Sequence, residues 1–237
     1  MKLYVTLGLA LLTASCDKHG EECPSILREA TRLILVTTSS MDGPLAQLST
    51  YERASAAEPW RRVSVPEPAV IGDNGVAWGW TFRNRAKWGE PLKTEGDKRT
   101  PAGVFALGPT FGFSASSAPA HMKLEKDQHI CVDDPASPHY NRIVSRDVAG
   151  LGTHGEEMES VVVYEKGIAV DYPTDREARA GSCIFVHIWQ GEGRGTSGCV
   201  AAPGATIARL QDFARSGPSV IAIMPELARE RFRGCLP

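Results

Sequence analysis

Between residues 181 and 200 the chain changes character abruptly, and the change narrows the folds open to it. Ile184, Phe185, Val186 and Ile188 are apolar or β-branched, the composition of a buried strand. Residues 190–198 then hold four glycines, two charged residues and two hydroxyls, which is the make-up of a loop. The loop runs through Thr196, Ser197 and Gly198 into Cys199. A histidine, His187, therefore leaves the end of a core strand, and a cysteine lies twelve positions later behind a glycine-rich turn.

That layout suits nucleophilic catalysis by a thiolate. A free thiol is mostly protonated at neutral pH, and a neighbouring imidazole can take its proton and return it to a leaving amine. A rigid strand fixes His187 as the base. Gly198 lets the backbone turn tightly beside Cys199, so that N–H groups can face a developing oxyanion. Thr196 and Ser197 are expected to add hydroxyl donors. The same residues admit a plainer reading, with Cys199 a small buried hydrophobe and His187 a hydrogen-bonded core residue. The glycine-rich turn leading into the cysteine favours the chemical one.

His187, followed by Thr196-Ser197-Gly198-Cys199-Val200, resembles the signature of the L,D-transpeptidase (YkuD) catalytic domain. In that family a His is followed, after a loop, by Ser/Thr, His, Gly, Cys and an apolar residue. A second stretch, from Lys93 through Gly96-Asp97-Lys98-Arg99-Thr100-Pro101-Ala102-Gly103-Val104-Phe105, is similar to the family's G-D-x-x-T-P-x-G-x-F segment. Two separated motifs in the expected order are more specific than either alone, and the resemblance extends over residues 32–224. The chain departs from the family pattern at Ser197, which replaces the motif His, and at Ala201, where a polar residue is usual. The loop between His187 and Cys199 is also shorter than is common.

The resemblance implies a mainly β domain over residues 32–237, β-sandwich-like, with one helix packed behind the Cys199 loop and short terminal helices. It implies a peptidoglycan L,D-transpeptidase. Cys199 attacks an amide carbonyl of a stem peptide, the terminal residue leaves, and an acceptor amine resolves the acyl-enzyme. Thr196, Ser197, Gly198, Trp189 and Arg194 are the residues expected to face the oxyanion or substrate. No cofactor or metal is expected, the partner is the peptidoglycan stem peptide, and the protein is expected to be a monomer. Water in place of the amine would make the same site an L,D-carboxypeptidase or amidase. Two readings of other classes stand beside these. One is a non-catalytic envelope-binding lipoprotein. The other is a zinc site, since Cys183 and His187 are four apart on a strand, face one way, and with Cys199 would supply three ligands.

The start of the chain points to export. Met1-Lys2 is a short basic region and residues 3–14 are an apolar run too short to span a bilayer comfortably. Leu12-Thr13-Ala14-Ser15-Cys16 is close to a lipobox, with Thr13 where Leu is usual, so that Cys16 is a candidate lipid anchor. An ordinary signal cleaved near Ala14 or Ser15 is the alternative, and both place the mature chain in the cell envelope. A net charge of −2 provides no global attraction to nucleic acid or anionic lipid. With Cys16 assigned to the signal and Cys199 to chemistry, Cys23, Cys131, Cys183 and Cys235 remain for an oxidising compartment. Four cysteines allow three pairings. Cys131–Cys183 with Cys23–Cys235 is expected, because the first two stand in strand-like sequence and the others near the chain ends.

Residues 17–31 are expected to form a tether and a short helix capped by Ser25, and strands are expected over 33–38, 45–52, 60–65, 69–71, 104–107, 161–164 and 168–172. Residues 108–121, rich in Gly, Ser, Ala and Pro, read as a loop long enough for a lid. Asp133-Asp134-Pro135 reads as a turn held by side-chain hydrogen bonds, with Asn141 and Arg142 facing a groove and His154 on the surface or groove. Ile207, Leu210 and Phe213 mark the buried face of a helix capped by Thr206, ended by Gly217-Pro218 and followed by a strand over 219–224 and a terminal helix over 226–233.

Overall fold

A computed structural model describes residues 23–232 and 234–237. The lipobox, Cys16 and most of the expected tether lie outside the described residues. Eight strands organise the rest: β1 (Arg32–Thr38), β2 (Leu45–Glu52), β3 (Glu67–Val70), β4 (Thr100–Gly112), β5 (Lys166–Asp171), β6 (Phe185–Ile188), β7 (Val200–Ala202) and β8 (Ser219–Pro225). Their order is β1-β8-β4-β5-β6-β7-β3-β2, and β2 pairs back onto β1. The mainly β expectation holds, but the sandwich gives way to a single ring. Closure leaves none of the eight as a free edge.

The neighbours are antiparallel except at two places, β1 with β8 and β6 with β7. β1 and β8 are the most apolar strands. Leu33 to Val36 and Val220 to Met224 are buried without interruption, as expected for strands covered on both faces. Each fully buried Leu, Ile or Val contributes on the order of 1.5–3 kcal/mol. Ile207 and Leu210 of the helix Gly204–Arg215 join the same core, and the helix lies against β5, β6 and β8.

β4 runs further than its sequence indicates, through Gly112 rather than ending near Leu107. Its last residues pair with Lys166 to Ile168 of β5 and, in parallel, with the short strand His121–Lys123. The expected lid shrinks accordingly to residues 113–120. Small residues that read as loop instead let neighbouring backbone approach closely. A Cβ on Gly112 would stand 2.5 Å from the Glu165 carbonyl oxygen.

Other expectations are corrected at element ends. The first helix is only a 3-10 turn, Ser25–Arg28, preceded by Pro24 and without a side-chain cap. The third expected strand reduces to Arg61–Arg62. Residues 162–165 form a 3-10 turn rather than a strand. The helix begins after Pro203, and the Thr206 hydroxyl donates to Glu67 Oε2 (2.6 Å) instead of capping. The last segment, Glu226–Phe232, is 3-10.

A small sheet of His129–Val132, Ile143–Ser145 and Gly155–Glu157 stands apart from the ring. Between it and the ring lies a second apolar cluster: Phe111, Leu124, Cys131, Met158, Tyr164, Phe185 and Cys199. Phe111, Tyr164 and Phe185 meet edge to face with centroids 5.4–5.6 Å apart, each contact worth about 0.5–1.5 kcal/mol beyond its buried area. The expected disulfides are both formed. Cys131–Cys183 ties the small sheet to the strand entering the site, and Cys23–Cys235 ties the two ends of the described chain.

Candidate active site

β6 and β7 are parallel neighbours, so the chain leaving β6 cannot turn back as a hairpin. It must travel the length of the strand before starting again. Residues 189–199 make that journey. Thr196 N–H donates to Ile71 O and Asp73 N–H to Thr196 O, both at 2.9 Å, which holds the loop to the segment after β3. The register sets Val186 beside Val200 and His187 beside Ala201. Side chains two apart on a strand share a face. His187 and Cys199 therefore project to the same side, away from the main core that takes Val186.

The turn into Cys199 is built from its own polar groups. Thr196 Oγ1 accepts from Gly198 N–H (3.1 Å) and donates to the Cys199 carbonyl (2.7 Å). Gly198 has φ +153°, where a side chain would be strained. Thr196 and the Gly198 amide thus shape the turn instead of pointing donors at a substrate. Ser197 is exposed on the cavity side. The two sequence motifs meet here: Thr100 Oγ1 donates to the Cys199 carbonyl (3.1 Å) and accepts from Gly72 N–H (2.8 Å).

Cys199, His187, Thr196, Ser197, Gly198 and Arg194 line one cavity of about 510 Å³. Trp189 does not line it. Lys93 and Asp97, from the upstream motif, are engaged at its edge. Asp97 accepts from Lys93 Nζ (2.5 Å), Thr94 N–H (2.9 Å) and Arg99 N–H (2.8 Å), holding the buried lysine at the cavity wall. Asn141 has a structural role, donating to Tyr172 O and accepting Cys183 N–H (2.8 Å), and Arg142 is not on the wall. Asp134 makes the expected turn through Ala136 N–H (2.8 Å). His154 is exposed and paired with Asp133. The zinc reading is overturned, because Cys183 is bonded to Cys131 and has no thiolate to give a metal.

Cys199 is the free cysteine among the described residues, and it is 8% exposed. Its Sγ accepts Phe185 N–H (3.3 Å) and faces the Cys183 carbonyl (3.6 Å). Burial pushes the thiol up to about 12, and the Glu156 carboxylate adds to this. Phe185 N–H, the Tyr164 hydroxyl and Lys93 oppose it. His187 gives its Nδ1 to the Ile188 carbonyl (2.7 Å), leaving Nε2 for the cavity. Burial pulls the ring down to about 4, against that carbonyl. At neutral pH the site therefore holds a thiol and a neutral imidazole rather than an ion pair.

Two groups escaped sequence reasoning. Tyr164 stands edge-on to His187 with centroids 5.2 Å apart. Its hydroxyl donates to Glu156 Oε2 (2.7 Å), and Glu156 also lines the cavity. Tyr164 looked like strand filler, and Glu156 belongs to a sheet whose position no local pattern reveals.

Among solved structures the chain is similar to Bdellovibrio bacteriovorus Bd1075, with 18% identity, TM-score 0.41, and coverage of 86% of this chain and 54% of that one. It is also similar to the helical cell shape determining protein Pgp2 from Campylobacter jejuni. A point mutant of that protein matches with 14% identity and TM-score 0.42, and another structure of it with 14% and 0.40, each covering 87% of this chain and 54% of that one. The chain thus spans about half the length of these proteins. No protein-family model matches it, and no curated protein does.

Proposed function

We propose that this chain is a cell-envelope peptidoglycan L,D-transpeptidase acting through Cys199 and His187. One observation carries the reading: a neutral imidazole on β6 and a free thiol at the entry to its parallel neighbour β7 line the same cavity. A stem-peptide carbonyl enters beside Sγ. As Sγ attacks, its proton passes to His187 Nε2, which Nδ1–H to Ile188 holds in the accepting tautomer. Ser197, exposed on the cavity side, is the residue of the turn left to face the oxyanion. Imidazolium then protonates the departing amine, leaving a thioester on Cys199, and an acceptor amine attacks it with its proton going to His187. The neutral starting pair supports this order, since neither group must be discharged before substrate arrives. The two disulfides fit an oxidising compartment. Among the described residues no helix is long and apolar enough to cross a membrane.

Incubation with purified muropeptides, followed by mass spectrometry, tests the reading. Cross-linked dimers are expected, and trimmed monomers alone would indicate hydrolysis. Cys199→Ala should abolish both and leave the melting temperature nearly unchanged. Turnover surviving the substitution would remove the thiol from the mechanism.

A further inference from the structure

We infer that Glu156 is a positioning residue which, through the Tyr164 hydroxyl, decides whether that hydroxyl serves the carboxylate or the Cys199 sulfur. The inference rests on the reading of Cys199 as nucleophile. Tyr164 is 4% exposed and locked by Phe111, Phe185 and His187, so only its hydroxyl proton can re-aim. That hydroxyl donates to Glu156 Oε2 at 2.7 Å, and Tyr164 packs with Cys199 in one buried cluster and lines the same cavity, where its hydroxyl favours the ionised sulfur. It has one proton to give.

With Glu156 ionised, Tyr164 O–H donates to Oε2, and the carboxylate charge opposes a thiolate nearby. With a proton from solvent on Glu156, the carboxyl O–H donates to the Tyr164 oxygen instead. The Tyr164 proton then turns to Sγ, and the opposing charge is gone. No covalent bond changes except the one that takes the proton onto Glu156. Burial raises Glu156, opposed by the Tyr164 hydrogen bond and helped by Asp133, which brings this exchange nearer to neutral pH. Several charged groups surround Glu156, and Asp73, Glu95 and Arg194 also line its cavity. Asp133 follows the neighbouring strand and is paired with His154. Glu157, next in the chain, is paired with Arg146. Lys93 and His187 face the same cavity. Cys131, directly opposite Glu156 in the small sheet, is held by its disulfide to Cys183, whose carbonyl faces Sγ. One covalent link thereby ties the strand paired with Glu156 to the segment whose carbonyl faces the sulfur.

The test is the pH profile of Cys199 alkylation by iodoacetamide, followed by intact mass in the full chain with its disulfides formed. Glu156→Gln mimics the protonated acid in shape and donor ability. It should lower the apparent pKa of alkylation and raise the rate at pH 8 by roughly tenfold, since one pKa unit is a tenfold change in thiolate. In a Tyr164→Phe background the same substitution should lose at least half of that gain, because the hydroxyl that carries it is absent. An unchanged profile in Glu156→Gln overturns the inference on its own. A gain undiminished by Tyr164→Phe also overturns it, leaving charge alone. Alkylation reads the sulfur whatever reaction it performs. A shifted profile in a protein without acyl transfer would therefore refute the transpeptidase reading and leave the Glu156 assignment standing.

Discussion

His187 carries the sharpest consequences of any single residue. If it cycles the Cys199 proton, His187→Gln should reduce the acylation rate by about 10²–10⁴-fold with little loss of folded protein. Near-normal acylation by a folded variant would move the base elsewhere. The same residue gives stability a pH dependence. Its ring is lowered to about 4 in the folded state by burial, against about 6.5 unfolded. The unfolded chain therefore binds the proton first. Stability is fully present above about pH 6.5 and falls as the pH drops towards 4, by about 3 kcal/mol in all. Urea titrations at pH 7 and pH 4 should show this loss, and His187→Gln should remove that part of it. An equal loss in the variant would assign the acid sensitivity to other groups. Cys199 and His187 were legible because a strand, a glycine-rich turn and a cysteine are local features. Tyr164 and Glu156 were not, since nothing in a run of β-branched residues or a pair of glutamates indicates which cavity they will meet.

At the scale of elements, the site is two walls and a link. β6 and β7 present the imidazole and thiol, and the small sheet presents Glu156. Cys131–Cys183 closes 52 positions of chain between them. Loop-closure entropy alone assigns such a link about 4 kcal/mol. Replacing both cysteines by alanine should lower stability by about 2–5 kcal/mol. It should also speed hydrogen exchange in residues 129–157 and change the Cys199 alkylation rate several-fold. An unaltered alkylation rate would mean that the small sheet holds its place without the bond. Val161 to Val163 have the composition of a strand, but residues 162–165 close into a 3-10 turn whose Tyr164 meets Phe111 edge to face.

Across the whole molecule, closure of the ring and the Cys23–Cys235 bond act at a distance from the cavity. That bond spans 212 positions and should contribute about 2–5 kcal/mol. Replacing Cys23 and Cys235 by alanine should therefore lower the melting temperature and leave Cys199 alkylation as it was, the opposite of the Cys131–Cys183 result. A change in alkylation would show that the chain ends are coupled to the site. Sequence alone determined the histidine strand, the glycine-rich turn into Cys199, the β-rich character and the helix carrying Ile207 and Leu210. Those features are written in neighbouring residues, where side-chain periodicity, glycine content and cysteine count act directly. Only the tertiary structure decided that the sheet closes into a ring, that β4 continues through Gly112, that Thr196 and Gly198 are engaged within their own turn, and that Tyr164 and Glu156 stand beside the sulfur. Each depends on which distant backbone fills the space next to a residue, and packing chooses that partner after local preference has been satisfied.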